Sequence, residues 1–335
     1  MRNYIIIAAG LIFSLAACVS KDRQEVKLFG EAQGSTYSIT YVDEELRDFQ
    51  DDIQDILMEI DLSMSLWVDH SLISRINRGE TDTLDVHMRR VIQKALSISK
   101  STAGYFDVTV GPLVDAWGFG PDGIDREPDK KELDSILKNV GYKQLTIKDN
   151  QLGKSTPNVK IDLNSIAQGY TVDVVSDFLQ SQGVYDYMVE IGGEIRTLGQ
   201  SGRNKPWRIG IDKPVNTESG RPLEVILKLS GESLATSGSY RKFRIEDGIK
   251  YSHAINPKTG KPVQHNLLSV TVIAEDCMTA DAYATAFLIM GKDAALDYMQ
   301  NRSMQAFFIL EDEEGNLVTA MTGGFERYIL ESVFE

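Results

Sequence analysis

A carboxylate and a hydroxyl stand four residues apart in an otherwise apolar segment near the C-terminus. Asp281 and Thr285 belong to CMTADAYATAFLIMG, residues 277–291, whose apolar residues recur at helical spacing. Residues four apart share one face of a helix, so the two side chains should lie close together. Two oxygens beside small alanines suit a magnesium ion that also binds phosphate. The presence of Asp281 also has a possible structural explanation. If Thr279 is the N-cap, Asp281 would lie in the first turn, where the helix dipole favours a carboxylate.

The segment KIDLNSIAQGY places further polar residues where another helix is expected to begin. Asp162, Asn164 or Ser165 could simply cap that helix. A helix N-terminus also favours anions, because its free N–H groups and the positive end of its dipole point there. Gln168 and the glycine after it would lie in the first turn and leave room for a ligand.

The stretch GPLVDAWGFGP sets Trp117 and Phe119 on either side of Gly118, between two prolines. This composition does not predict an ordinary helix or strand. An aromatic loop of this kind could pack on a flat ring of a ligand, or it could be a plug in the protein core.

One of the four histidines, His253, is predicted on a strand that runs into an Asn-Pro turn in YSHAINPKTGKPV. A lone histidine can be structural. Its unperturbed pKa of about 6.5 also makes it the natural proton carrier near neutral pH.

The sequence lacks the motifs of several other enzyme classes. It has no G-x-G-x-x-G after a strand, no Walker A loop, no G-x-S-x-G elbow and no H-E-x-x-H. Four histidines and two cysteines argue against a zinc or iron–sulfur site. The 35 basic and 49 acidic residues give a net charge of −14, which would repel phosphates and argues against nucleic acid as a partner.

The first residues predict a processed signal rather than part of the fold. Arg2 precedes the apolar run YIIIAAGLIF, which is too short to span a bilayer as a mature helix. The run ends in LAAC, and small residues before Cys18 resemble a bacterial lipoprotein signal, in which the cysteine is lipidated after cleavage. The alternative is an ordinary secretory signal with an incidental cysteine. We expect a signal peptide over 1–17, a lipidated Cys18 with a polar tether over 18–28, and a membrane-anchored domain over 29–335 on the periplasmic, extracytoplasmic side.

The elements that must position the candidate residues follow from hydrophobic periodicity and turn residues. A strand or hairpin is predicted over 27–42, a loop and short turn over 64–79, several strands between 185 and 274, and two final strands after residue 301. Helices are predicted over 44–66, 87–103, 129–141, 165–182, 278–290 and 292–301.

The order of these elements predicts the fold class. Helices come first and strands dominate later without strict alternation, which favours an α+β fold with mixed or antiparallel sheets, built as one intertwined globular unit. Gly192 and Gly193 could form a tight turn between two strands or cradle a phosphate. Cys277, without a disulfide partner if Cys18 is lipidated, is expected to be a buried small hydrophobe.

Seven segments, in this order, resemble the ApbE family of FAD:protein FMN transferases, whose members are often periplasmic lipoproteins. The likeness covers residues 29 to about 330, and its segments are MSLWVDHSLISRIN, GYFDVTVGPLVDAWGFG, KIDLNSIAQGYTVD, EIGGEIRTLG, LATSGSYRKF, YSHAINPKTGKPV and TADAYATAFLIMG. The resemblance implies an ApbE-like fold and Mg²⁺-dependent transfer of FMN from FAD to a Thr or Ser hydroxyl of an acceptor flavoprotein subunit. A phosphoester forms and AMP leaves. Two alternatives stay open: hydrolysis of FAD to FMN and AMP at the same site, or a lipid-anchored flavin-binding protein without turnover.

The resemblance also implies roles for individual positions. The metal ligands would be Asp281 and Thr285 together with Ser165 and Ala284, of which Ala284 can offer only its backbone carbonyl. His253 and Asp281 match residues implicated in catalysis. Seven positions match contacts to the flavin nucleotide: Met64, Trp117, Gly118, Phe119, Asp162, Gln168 and Ile255.

Two positions depart from the family pattern. Gln168 stands where relatives often carry lysine. The glutamine removes a cation from the phosphate site, so phosphate binding is weaker or depends more on the metal. Asn256 stands where an aspartate is common. We expect neither change to abolish activity.

Overall fold

The computed structural model describes most of the chain after the N-terminal segment. The described residues are 23–121, 123, 126–214, 223–239, 243–246 and 249–332. The predicted signal peptide and Cys18 lie outside them. Within the described ranges, no helix is long and apolar enough to cross a membrane.

Helices and strands are interspersed along the described residues. The helices are α1 Gln50–Met64, α2 Leu72–Arg78, α3 Val86–Ser101, α4 Gly111–Ala116, α5 Lys130–Ile136, α6 Ala167–Ser181, α7 Cys277–Met290 and α8 Lys292–Met299. The strands are β1 Glu25–Ala32, β2 Ser35–Val42, β3 Leu145–Lys148, β4 Gln151–Lys154, β5 Tyr187–Ile191, β6 Glu194–Leu198, β7 Trp207–Asp212, β8 Leu223–Leu229, β9 Ser233–Gly238, β10 Phe243–Glu246, β11 Ile249–Ser252, β12 Ile255–Asn256, β13 Lys261–Pro262, β14 Leu267–Ala274, β15 Gln305–Glu311, β16 Leu317–Met321 and β17 Ile329–Ser332.

Neighbouring strands in the described sheets pair antiparallel. The central sheet has eight strands in the order β1-β2-β5-β6-β9-β14-β15-β16. A second sheet has three strands in the order β17-β8-β7, and β3-β4, β10-β11 and β12-β13 form hairpins. The predicted α+β class is therefore confirmed.

The central sheet carries apolar cores on both of its faces. Along β15, Phe307 and Ile309 belong to the core shared with β7 and β8, whereas Phe308 and Leu310 belong to the core shared with α3 and α7. Successive side chains of a strand point to opposite faces, so a strand covered on both sides needs an apolar residue at nearly every position. This accounts for the continuous apolar runs in the C-terminal strands.

Several predicted boundaries were wrong for local reasons. The segment 64–79, predicted as a loop and short turn, contains helix α2, whose N-cap Ser71 accepts a hydrogen bond from the backbone N–H of Ser74 at 3.2 Å. Helix α4 forms in the Gly-Pro stretch because Pro112 lies in its first turn, where the missing N–H is not needed. The helix predicted over 129–141 is shorter: α5 ends at Ile136 and a 3-10 turn follows.

Candidate active site

Helix α7 carries a carboxylate into the protein core. Asp281 is only 6% exposed, and its Oδ2 accepts a hydrogen bond from the backbone N–H of Gly169 at 3.0 Å. Burial raises the pKa of Asp281 to about 7, the N–H of Gly169 opposes the rise, and the negative charge of Asp173 adds to it. Removing a carboxylate from water disfavours its charged form, so a bound cation would stabilise this group.

The contact between α6 and α7 requires a glycine. A Cβ on Gly169 would lie 2.5 Å from the carbonyl oxygen of Cys277 and 2.8 Å from the Cβ of Asp281. Any larger residue would push the two helices apart. Gly169 therefore lets the first turn of α6 bring an N–H group onto the carboxylate of Asp281.

The start of α7 removes the structural explanation for Asp281. The N-cap is Asp276, whose Oδ1 accepts hydrogen bonds from the backbone N–H and the hydroxyl of Thr279 at 2.7 and 2.6 Å. The prediction that Thr279 is the N-cap was therefore wrong. Asp281 is the fifth residue of the helix, beyond the first turn where the dipole favours an acid. Cys277, as predicted, is buried and unpaired.

Thr285 meets a second hydroxyl from the central sheet. Its Oγ1 lies 3.1 Å from the Oγ of Ser237 on β9. Sequence reasoning did not single out Ser237, although it lies in the segment LATSGSYRKF. We call Gly169, Ser237, Asp281 and Thr285 the oxygen site.

The donor set of the oxygen site suits a hard cation. Among the described residues, no group of three or more His, Cys, Asp or Glu side chains is arranged to hold a metal ion. An ion at Asp281 would therefore take its other ligands from hydroxyl, carbonyl, water or phosphate oxygens. Mg²⁺ is commonly bound in this way, through one or two carboxylates plus substrate phosphates.

The N-terminus of α6 carries no side-chain cap. The helix begins at Ala167, and its N-cap residue Ile166 makes no capping hydrogen bond. The alternative that Asp162, Asn164 or Ser165 caps this helix was wrong, because the N-cap position is Ile166 and no side chain caps the helix. Asp162 Oδ1 instead accepts the backbone N–H of Asn164 at 2.8 Å. The backbone N–H groups of Ala167, Gly169 and Tyr170 donate to Leu163, Asp281 and Ile166, so among the described contacts of this first turn the N–H of Gln168 is the one left for an anion.

Gln168, in the first turn of α6, lies against the turn between β5 and β6. Its side-chain amide occupies the space that a Cβ on Gly192 would need. Gly192 and Gly193 both have positive φ, at 67° and 110°, so the tight turn is the correct interpretation of this glycine pair.

Asp162 lies beside a cavity of about 380 Å³. It is 6% exposed; burial raises its pKa to about 6, the N–H of Asn164 opposes this, and the charge of Asp115 adds to it. Trp67, with 70% of its surface exposed, also borders the cavity and was not singled out from the sequence, although it lies in MSLWVDHSLISRIN. The lining residues are Leu66, Trp67, Asp69, Ser74, Asn77, Arg78, Gly111, Asp115, Pro121, Lys160, Ile161 and Asp162.

The aromatic stretch divides into a buried ring and a partly exposed one. Trp117 is 2% exposed, packs with Ile255, and donates its indole N–H to the carbonyl oxygen of Gly260 at 2.7 Å. Trp117 thus plugs a small core. Phe119 is half-buried, and its ring centroid lies 6.3 Å from that of His253 in an edge-to-face arrangement. We call Trp117, Phe119, His253 and Ile255 the aromatic cluster.

The remaining predicted positions are placed around these groups. His253 follows the end of β11 rather than lying within a strand, contrary to the prediction. Met64 is buried at the end of α1 in the main core, and Ala284 is fully buried in α7. Gly118 has a φ of 81° just after α4, and Ser165 is half-buried in the turn before α6.

Comparison with known proteins identifies the family of this chain. The ApbE family profile matches residues 33–308. The FAD:protein FMN transferase of Vibrio cholerae serotype O1 is 38% identical over 323 residues, with 94% of this chain and 96% of that protein covered. That of Haemophilus influenzae is 36% identical over 336 residues, covering 96% of each.

Solved structures agree with the fold. The flavin transferase ApbE from Vibrio cholerae matches with a TM-score of 0.82 at 36% identity, covering 91% of this chain and 99% of that one. The apo form of the Pseudomonas stutzeri flavinyl transferase ApbE gives a TM-score of 0.82 at 31% identity, covering 92% and 98%. On both the sequence and the fold, this chain belongs to the ApbE family.

Proposed function

We propose that this protein transfers FMN from FAD to a Thr or Ser hydroxyl of an acceptor protein. The observation that carries the proposal is the buried carboxylate of Asp281, beside the uncapped start of α6 and on the helix face of Thr285. A buried acid held by one backbone N–H is a poor structural element but a suitable cation ligand. The names of the family relatives support the choice of FAD as donor and a protein as acceptor.

The oxygen site would bind the diphosphate of FAD. Asp281 and Thr285, with oxygens of Ser165 and Ala284, would hold Mg²⁺, which supplies neutralisation of phosphate charge and Lewis acidity. The backbone N–H of Gln168, in the first turn of α6, would contact a phosphate oxygen, and its side chain would add a neutral donor where a lysine would add a cation.

The transfer step exchanges one phosphorus–oxygen bond for another. The acceptor hydroxyl oxygen bonds to the phosphorus nearest riboflavin, and the bond from that phosphorus to the bridging oxygen breaks. AMP leaves with the bridging oxygen. The hydroxyl proton passes to a base, for which His253 is the candidate, because an imidazole can accept a proton near neutral pH.

The flavin ring would lie on the side of Asp162 and the aromatic residues. Trp67 and Phe119 present ring surface that is not fully buried, whereas Trp117 positions the loop through its bond to Gly260. Stacking of a flat ring on an aromatic side chain contributes about 0.5–1.5 kcal/mol beyond buried area.

We also propose that the protein acts outside the cytoplasm, anchored to the membrane by lipid on Cys18. The support is the apolar run that ends in LAAC. In a bacterial host, wild-type protein should sediment with membranes and Cys18→Ser should not. Equal membrane association of the two proteins would contradict lipidation.

The transferase proposal is tested by intact-mass spectrometry of a candidate acceptor domain incubated with this protein, FAD and Mg²⁺. The acceptor should gain the mass of an FMN phosphoester, and Asp281→Ala should abolish the gain. Asp55→Asn, at an exposed position in the middle of α1, is the matched control and should transfer normally.

AMP release reports the competing reaction in the same tubes. Release at one rate with and without acceptor, and no mass gain, would mean that water is the nucleophile. FAD binding without AMP release would indicate a binding protein. Normal transfer by Asp281→Ala under saturating Mg²⁺ would contradict the metal assignment.

A further inference from the structure

A polar cleft of about 410 Å³ lies between the two sheets, away from the cavity beside Asp162. One wall is the face of the central sheet that is turned towards the three-stranded sheet, with Thr36 and Ser38 from β2 and Glu190 from β5. The other wall is β7. None of these residues belongs to the oxygen site or to the aromatic cluster, so the proposed chemistry leaves the cleft unexplained.

The β7 wall of the cleft is a strand edge rather than a strand face. Five consecutive residues, 208–212, line the cleft, although their side chains alternate: Ile209 and Ile211 point into the core, while Arg208 is exposed. Because the side chains alternate, five consecutive residues can line the same cleft only through their backbone atoms. In the three-stranded sheet β7 is the terminal strand, and its described strand partner is β8 alone. Its other edge therefore presents backbone N–H and C=O groups to the cleft.

The oxygen site lies on the other face of the central sheet, where α6 and α7 pack, and the two sites approach each other at the turn between β5 and β6. Gly192 and Gly193 of this turn line the cleft. The amide of Gln168 lies directly over Gly192, and the next residue, Gly169, donates its N–H to Asp281. A chain lying in the cleft would thus reach the start of α6 at the cleft's end.

Resting on the proposed function, we propose that an extended segment of the acceptor protein binds in this cleft by pairing with the edge of β7 that lies opposite β8. Backbone pairing suits an enzyme whose substrate is a hydroxyl on a polypeptide, because it fixes the direction and register of the chain. Strand β7 is six residues long, about 20 Å at ~3.3 Å per residue. The hydroxyls of Thr36 and Ser38 face the opposite side of such a segment. Its Thr or Ser would pass over Gly193 towards the diphosphate.

Hydrogen exchange tests the pairing without requiring turnover. The protein is loaded with FAD and Mg²⁺ and mixed with the acceptor domain identified by mass gain, with its modified Thr or Ser replaced by Ala. The backbone amides of 207–212 that point away from β8 should exchange at least about tenfold more slowly, as edge amides do when they enter a ladder. Unchanged exchange at β7, with protection confined to other surfaces, would overturn the inference.

Blocking the cleft tests the consequence for transfer. Thr36→Tyr and Ser38→Tyr place a bulky ring in the cleft at exposed and half-buried strand positions, where tyrosine is a favoured residue. Thr319→Tyr makes the same kind of change on β16, at the opposite edge of the same sheet, and is the control. The cleft variants should lower kcat/KM for the acceptor by about tenfold or more through KM, with the Kd for FAD within about twofold of wild type.

The outcomes separate this inference from the proposed function. Cleft variants that match Thr319→Tyr in acceptor KM would overturn the docking site and leave the transferase intact. An equal loss of FAD affinity would overturn it too, because the cleft would then bind the nucleotide. A wild-type protein that transfers no FMN would contradict the proposed function itself.

Discussion

Replacing Asp281 with asparagine should make the metal-free protein more stable at pH 8. Asparagine keeps an oxygen that can accept the N–H of Gly169 at 3.0 Å, and it removes the buried charge. The pKa of Asp281 is raised from 3.8 to about 7, mainly by burial. Since each pKa unit corresponds to 1.36 kcal/mol, the ionised group lowers the free energy of unfolding by about 4 kcal/mol above pH 7. The new NH₂ group offsets about 1–3 kcal/mol of this if it stays unpaired.

The net gain for Asp281→Asn at pH 8 is therefore about 1–3 kcal/mol, or roughly 2–6 °C in Tm. The sign follows from linkage: a raised carboxyl pKa means that the folded state binds the proton more tightly. The stability of the wild type therefore falls as pH rises between about 4 and 7. At pH 5 the folded carboxyl is mostly protonated, so the charge penalty drops to less than half and the advantage of the variant should vanish.

Calorimetry in EDTA at pH 5 and pH 8 measures this difference, with Asp55→Asn as the exposed control. Adding FAD and Mg²⁺ should reverse the order. The wild type gains about 2.7 kcal/mol at a ligand concentration of 100 Kd, whereas Asp281→Asn should gain little from the metal. A metal-free variant less stable than wild type at pH 8, or a difference that is the same at both pH values, would refute the reasoning.

Three other substitutions probe the elements around this acid. Gly169→Ala should force α6 and α7 apart, because its Cβ would meet the carbonyl oxygen of Cys277 at 2.5 Å; thermal unfolding should show a loss of about 1–3 kcal/mol, together with weaker Mg²⁺-induced stabilisation. Asp173→Ala should cost about 2–5 kcal/mol in denaturant unfolding, because the backbone N–H groups of Cys277 and Met278 lose their acceptor; an unchanged midpoint would contradict that role. His253→Ala should bind FAD normally in fluorescence titration but lower kcat by about 10²–10⁴-fold, and unchanged turnover would leave His253 a structural residue.

The sequence predicted those parts of the site that depend on local spacing. Asp281 and Thr285 share a helix face because they are four residues apart, and that relation needs no tertiary information. The meeting of Thr285 with Ser237 could not be predicted, because 48 residues separate them and only the packing of α7 on β9 brings their hydroxyls together. The exposed ring of Trp67 and its place beside Asp162 are likewise products of tertiary structure.

The start of α7 shows why helix boundaries escaped prediction. Asp276 and Thr279 are both good N-cap residues, so local propensity alone does not choose between them. The choice is made by a distant side chain: the carboxylate of Asp173 accepts the N–H groups of Cys277 and Met278, which fixes the first turn one residue after Asp276. A contact between residues more than a hundred positions apart thus sets the start of α7, and Asp281 lies in the interior of the helix instead of the predicted first turn.

Two buried acids at one helix interface therefore have different roles, and their partners distinguish them. Asp173 accepts two backbone N–H groups and pairs with Arg196 at 3.0 Å, which compensates part of its charge within the protein. Asp281 accepts one N–H, and its pKa is the higher of the two, about 7 against about 6. Removing the first acid should therefore destabilise the fold, while neutralising the second should stabilise it and abolish metal binding. The two substitutions change the stability in opposite directions because protein groups compensate the charge of Asp173, whereas a bound cation would compensate that of Asp281.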